Sequence, residues 1–223
     1  MEGANLFGAN LAEAYLLGAN LVGVNLRGVN LAGANLVESN LGRAYLWETN
    51  LERANLRDAN LAGANLERAN LVGANLQRAN LEGVDLRVAN LAGVKLGKAN
   101  LIGALLVSVN LEGAELRGVN LEGADLRQAN LQGVDLEGAN LAGALLWRAN
   151  LAKANLWDVN LVGANLRKAN LARADLEGAN LAGASLRDAN LEEAEDLALT
   201  EAKLCHTILP EYITVDPDRD CGE

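Results

Sequence analysis

Aromatic side chains are scarce in this chain: one Phe, three Tyr and three Trp among 223 residues. Half of the residues are nevertheless apolar, so a core must be assembled mostly from Leu and Ala. A chain of this length can bury a sizeable one. Long apolar runs are missing as well. None reaches the roughly 18 residues of a membrane-spanning helix, and no membrane partner is expected. The N-terminus enters a repeating pattern at Gly3-Ala4-Asn5-Leu6 without a basic segment and an apolar stretch. No signal peptide is therefore expected, and the expected location is cytoplasmic.

Cysteine and histidine are equally sparse. Cys205 and Cys221 lie near the C-terminus, and without a secretory context two free thiols are expected rather than a disulfide. The single His, His206, adjoins Cys205. With Cys221 these are three metal-ligating side chains without a recognised spacing, so no metal site is expected. The formal charge of −10 is unevenly placed. Residues 192–223 carry ten acids against Lys203 and Arg219, whereas residues 1–191 hold 19 acids and 17 bases. The body is nearly neutral and the acidity belongs to the tail.

What the chain has in abundance is leucine at a fixed interval, as in ANLERANLVGANL from Ala64 to Leu76. Leu occupies every fifth position from Leu6 to Leu191, 38 times without a miss. A step of five advances about 140° around an α-helix and scatters the leucines over its surface. In a continuous strand an odd step sends successive leucines to opposite faces. A chain that bends once per five residues buries them all. The residue two before each Leu is Ala or Val in 36 of 38 cases, with Ser39 and Thr49 as exceptions. Two apart in an extended segment share a face, so Ala and Leu point inward and the intervening residue, mostly Asn, points outward. The remaining two residues form a solvent-facing corner.

Glycine spacing sets the number of corners. At the second corner position Gly fills nine of ten places spaced by 20 from Gly3 to Gly183, Arg43 being the exception. Asn is invariant at every multiple of ten from Asn10 to Asn190. The seven outward positions that are neither Asn nor Asp (Tyr15, Tyr45, Lys95, Leu105, Glu115, Leu145 and Ser185) all fall midway between. A three-sided coil of 15 residues would mix these classes on each side, whereas a four-sided coil of 20 keeps them in register. The prediction is an all-β solenoid with Gly-rich corners stacked where positive φ or close backbone approach is needed. At about 4.8 Å per coil, about nine to ten coils make a rod of roughly 45 Å.

The A(N/D)LXX unit, as in Ala64-Asn65-Leu66-Glu67-Arg68, resembles the pentapeptide-repeat family over residues 1–195. That resemblance implies a right-handed quadrilateral parallel β-helix, and it implies no reaction, since a fold hosts many functions. After Leu191 the register slips: eight residues separate it from Leu199, and Leu204 and Leu209 follow at five. Residues 196–223 are expected to form a register-shifted last coil and an acidic C-terminal cap or tail, with Pro210 ending the ladder and Tyr212, Ile213 and Val215 packing the end if it is a cap. The first coil shows no comparable cap, and two copies are expected to pair there if the chain dimerises.

One side gathers unusual surface residues. Phe7, Arg27, Tyr45, Trp47, Arg127, Leu145, Trp147 and Arg167 share it, and Trp, Tyr and Arg dominate interface hot spots. Arg127, Trp147 and Arg167 lie one coil apart in turn, which predicts guanidinium-on-indole stacking. Stabilisation of the rod by laddering is the plainer role for the same residues. Five arginines against Glu67, Asp85 and Asp125 leave this side too weakly basic for nucleic acid. Catalysis needs convergent groups in a concavity, and none is assigned here; nor are cofactor or metal ligands. The expected function is that of a non-catalytic rigid scaffold whose partner is another protein. The resemblance supplies a second reading, because some pentapeptide-repeat proteins mimic DNA, bind DNA gyrase and protect it from quinolones. A neutral body, the lack of a central Phe and the lack of any loop between coils speak against it.

Overall fold

The structure is a computed structural model that describes residues 4–199, 201–211, 214, 216–218 and 220–221. Its backbone is built from short extended segments joined by tight corners, and each outward residue forms a parallel bridge to the residue 20 positions later, from Asn5 with Asn25 to Asp175 with Glu195. Four sides make one coil. Residues 64–83 are one example, with corners at Glu67-Arg68, Val72-Gly73, Gln77-Arg78 and Glu82-Gly83.

A single unit shows why five residues suffice. Asn65 N–H donates to Ala44 C=O of the preceding coil at 3.0 Å, and Leu66 N–H donates to Asp85 C=O of the following coil at 2.7 Å. Glu67 N–H turns instead to Asn65 Oδ1 at 3.0 Å. Arg68 N–H reaches Arg87 C=O at 3.1 Å, and Ala69 N–H closes the corner onto Leu66 C=O at 2.9 Å. All five backbone donors are satisfied, as a buried ladder requires. The corner is a four-residue turn whose third residue has positive φ, the pattern of a type II turn.

That positive φ is not confined to glycine. From Glu13 to Glu193 the second corner residues described with positive φ lie between 53° and 70° whether or not they are Gly. The Gly-rich column is thus one of four equivalent corners, and each Arg, Glu or Lys at such a position carries the modest strain of the left-handed region.

The interior is filled as the five-residue pattern dictates. From Leu21 to Leu191 every fifth-position leucine is no more than 2% exposed, and the Ala and Val columns are buried beside them. The two exceptions in the Ala column are satisfied locally: Ser39 Oγ donates to Leu36 C=O and Thr49 Oγ1 to Leu26 C=O, each at 2.7 Å. Leu6, Leu11 and Leu16 of the first coil are only partly buried where they pack against this core.

At the C-terminal end the spacing shortens from 20 to 18: Ser185 bridges Lys203 and Asn190 bridges Ile208. Leu199 and Leu204 continue the core, and Thr207 takes the Ala place with its hydroxyl on Leu186 C=O at 2.9 Å. The tail then returns along this last coil. Leu204 N–H, which has no further coil to meet, donates to Asp220 Oδ2 at 2.7 Å, and His206 N–H donates to Asp218 Oδ1 at 2.8 Å. Asp220 N–H answers to Leu204 C=O at 3.1 Å. Tyr212, Ile213 and Val215, expected to pack the end, lie outside the described residues.

The expectation of two free thiols is corrected. Cys205 and Cys221 are joined in a disulfide with their Cα atoms 4.8 Å apart, well inside the range a disulfide spans. The cause is the tail's return: Asp218 and Asp220 dock on the edge of the last coil and bring Cys221 over Cys205.

Candidate functional site

Two opposite walls of the rod differ in kind from the two between them. At every multiple of ten the Asn Oδ1 accepts the amide two residues on, as from Val72 to Asn70 and from Ala142 to Asn140. Many of these carboxamides also donate along the rod, Asn70 Nδ2 to Asn50 Oδ1 at 3.0 Å and Asn160 Nδ2 to Asn140 Oδ1 at 2.9 Å. Those two walls are uniform ladders. The other two carry every substitution.

The first of these holds the residues singled out from sequence. Phe7 is 67% exposed, Tyr45 55% and Leu145 38%, while Trp47 and Trp147 are half-buried and Arg27, Arg127 and Arg167 exposed. Tyr45, Leu105 and Leu145 replace Asn and offer no oxygen there, so Trp47, Val107 and Trp147 lose the side-chain acceptor that supports other corners. Each therefore trades a local hydrogen bond of about 0.5–1.5 kcal/mol for an apolar group on the surface.

The predicted stacking of Arg127 and Arg167 on Trp147 is also corrected. Arg148, the next residue at the corner, lies over Trp147 at 4.5 Å, and Arg27 and Arg68 lie over Trp47 at 4.9 and 5.9 Å. Arg127 is taken by its own wall: Nε and Nη2 bond the two oxygens of Asp125 at 2.8 and 2.6 Å. Burial pushes the Asp125 carboxyl up, but the side-chain and backbone hydrogen bonds from Arg127 outweigh it and hold the group below its ordinary value. Arg87 does the same to Asp85. A small recess of about 200 Å³ lies between Arg27, Tyr45, Trp47 and Asn65.

The opposite wall carries a larger cleft that sequence reasoning missed, about 540 Å³, lined in part by Arg57, Arg78, Lys98, Glu115 and Arg117. Its cause is Gly97, which leaves a gap in the column of Gln77 and Arg117. Glycine at a first corner position, beside Lys95 and Glu115 in place of Asn, was the available signal. Most of its charges are already engaged. Arg78 Nε and Nη2 clamp Asp58 at 2.7 Å each, and that side-chain hydrogen bond holds the Asp58 carboxyl below its usual range. Lys95 lies 3.6 Å from Glu115, and Arg117 pairs with Asp135 and Glu137. Neither wall brings a nucleophile and a base together, and the one imidazole is at the C-terminal end. Among the described residues, two groups converge with metal-ligating character: Asp175, Glu177 and Asp196, which sit at the surface, and Cys205, His206 and Cys221.

With this geometry in view, likeness to known proteins is specific. The family model described as pentapeptide repeats (8 copies) matches overlapping segments 4–43, 34–71, 49–87, 69–106, 95–133, 129–167 and 160–195. Among solved structures, HetL, a pentapeptide repeat protein involved in heterocyst differentiation regulation from the cyanobacterium Nostoc sp. strain PCC 7120, is 35% identical. The match covers 95% of this chain and 89% of that one, with a TM-score of 0.50. A thylakoid-lumen pentapeptide repeat protein of Arabidopsis thaliana is 33% identical over 46% of this chain and 72% of its own, with a TM-score of 0.45. QnrB1, a plasmid-mediated fluoroquinolone resistance protein, is 17% identical over 95% and 91%, with a TM-score of 0.40. No curated protein matches the chain. The four-walled coil of 20, the Asn-supported corners and the family match agree: the chain is a right-handed quadrilateral β-helix and belongs to the pentapeptide-repeat family.

Proposed function

We propose that this chain is a non-catalytic, rigid scaffold that docks another protein on the wall of Tyr45, Trp47, Leu145 and Trp147. The observation that carries this reading is the exchange at Tyr45, Leu105 and Leu145, where an Asn that supports the corner elsewhere gives way to an apolar side chain on the surface. Departures from a local rule that stabilises the fold are where function is to be sought. The partner's chemistry is inferred from what flanks Trp147. Beyond Trp147 the same wall carries Arg148, Arg167, Lys168 and Arg187 with Asp188 as the one carboxylate among them, so the partner presents an apolar patch bordered by acids. A filled bore supports a binding role over catalysis. A regulatory role such as that of the 35% identical HetL is compatible with one.

The test is affinity capture with three versions of the full chain: unaltered, Trp47→Ala with Trp147→Ala, and Trp157→Ala on the opposite wall. Capture of the same protein by the first and third, lost with the double variant, supports the proposal. Capture unaffected by the double variant sinks it. The gyrase reading is set aside because the body is nearly neutral and no loop interrupts the coils. Rescue of gyrase supercoiling from a quinolone by stoichiometric amounts of this chain would restore it. Pairing of two copies through the partly buried Leu6, Leu11 and Leu16 is a second, separate proposal. Sedimentation at rising concentration supports it by showing a dimer that Leu11→Glu abolishes; a monomer throughout refutes it.

A further inference from the structure

The corner column that holds Arg187 and Asp188 ends, one coil later, in Cys205 and His206. The returning tail adds Asp218 and Cys221 at the same point. One ligand atom from each of Cys205, His206 and Cys221 lies within 4.8 Å of the others. Asp218 Oδ1 is 3.7 Å from Cys221 Sγ and accepts the His206 amide at 2.8 Å. Behind the imidazole, Asp188 Oδ1 stands 3.5 Å from Nδ1.

A disulfide needs only the two sulfurs. The added imidazole, with the Asp188 carboxylate standing beside its ring, is what a zinc centre with one open position assembles: two soft sulfurs, an imidazole and an outer carboxylate near the ring. Charge fits as well. Two thiolates and a divalent ion sum to zero, so the centre needs no further counter-charge.

We propose that the disulfide is one of two states of this locus, and that in the reduced state Cys205, His206 and Cys221 bind one Zn²⁺ with solvent as the fourth ligand. The conversion balances. An external dithiol delivers two electrons and two protons to the Cys205–Cys221 bond, which becomes two thiols, while the dithiol closes to its own disulfide. Each thiol then releases its proton to solvent as its sulfur binds the metal. Metal and disulfide are mutually exclusive, and each ties the tail to the last coil.

The test uses the full chain, reduced under anaerobic conditions with a phosphine, and Co²⁺ as the spectroscopic stand-in for Zn²⁺. The expected result is one equivalent of Co²⁺ bound with a sulfur-to-cobalt charge-transfer band in the near ultraviolet. Zn²⁺ displaces that band, and the oxidised chain does not show it. Cys205 is buried, so the sulfur variant is Cys221→Ser, with the far-ultraviolet circular dichroism of the rod as the check on folding; it removes at least half the band. His206→Ala keeps the charge-transfer band but weakens binding by at least about tenfold. No charge-transfer band in the reduced chain at excess Co²⁺ would overturn the proposal. So would unchanged affinity in His206→Ala, which would leave two thiols and no built site.

Discussion

The outward carboxamide has two tasks in each coil of this rod, and they explain where substitution is allowed. Its oxygen holds the amide that the corner would otherwise strand, and its nitrogen ties it to the carboxamide 20 residues earlier, as Asn70 does with Val72 and Asn50. Supplying the oxygen where it is missing should therefore help the fold. Leu145→Asn is expected to stabilise the rod by about 0.5–1.5 kcal/mol in urea unfolding, while weakening capture of the partner proposed above. An unchanged or lower urea midpoint would show that the Trp147 amide needs no such acceptor. Val88 is the opposite case, a β-branched residue held at φ 60° with 60% of its surface exposed. Val88→Gly removes that strain and loses little packing, so a gain of about 1 kcal/mol is expected in the same measurement. The position of each Asn and Gly was legible in the sequence. Their reasons were not, since a side chain that accepts from its own corner and a positive φ borne equally by Arg68 and Gly73 become visible only with the backbone in place.

At the scale of one coil on the next, ion pairs link corner to corner. Arg78 reaches Asp58 and Arg173 reaches Glu193, each across 20 residues, while Asp85 and Asp125 are held by Arg87 and Arg127 within their own coils. In every pair the carboxyl is held below its ordinary value. A carboxyl with a folded pKa below its unfolded one adds stability that is complete above the unfolded value and is lost as pH falls through the folded one. The urea midpoint is therefore expected to hold from neutral pH to about pH 5 and to fall below about pH 4; a decline that begins above pH 6 would contradict this assignment. Three coil-scale features escaped sequence reasoning for a common reason, namely that they depend on which residues stand near one another. Gly97 opens a cleft because its neighbours in the column are Gln77 and Arg117. Cys205 meets Cys221 because Asp218 and Asp220 find unpaired amides at the end of the last coil. Arg127 missed Trp147 because a carboxylate two residues away outcompetes an indole one coil away.

Across the whole molecule each coil touches only its neighbours, so stability approximates a sum of adjacent interfaces and the rod's length follows directly from its residue count. The overall architecture was the most legible level. Period-five leucine and the 20-residue register of Asn10 to Asn190 leave little freedom for any other winding. The wall proposed for docking was legible only as a set of residues, because a partner's identity is not written in the geometry of a surface. The winding itself is open to a direct measurement. Spin labels at Glu52→Cys and Ala172→Cys, with the native disulfide intact, lie on one wall and six coils apart. Electron–electron dipolar spectroscopy should therefore find a narrow backbone separation of about 29 Å at about 4.8 Å per coil. A separation near 38 Å, the spacing of about eight three-walled coils at the same rise, would contradict the four-walled winding on which every assignment of a shared wall depends.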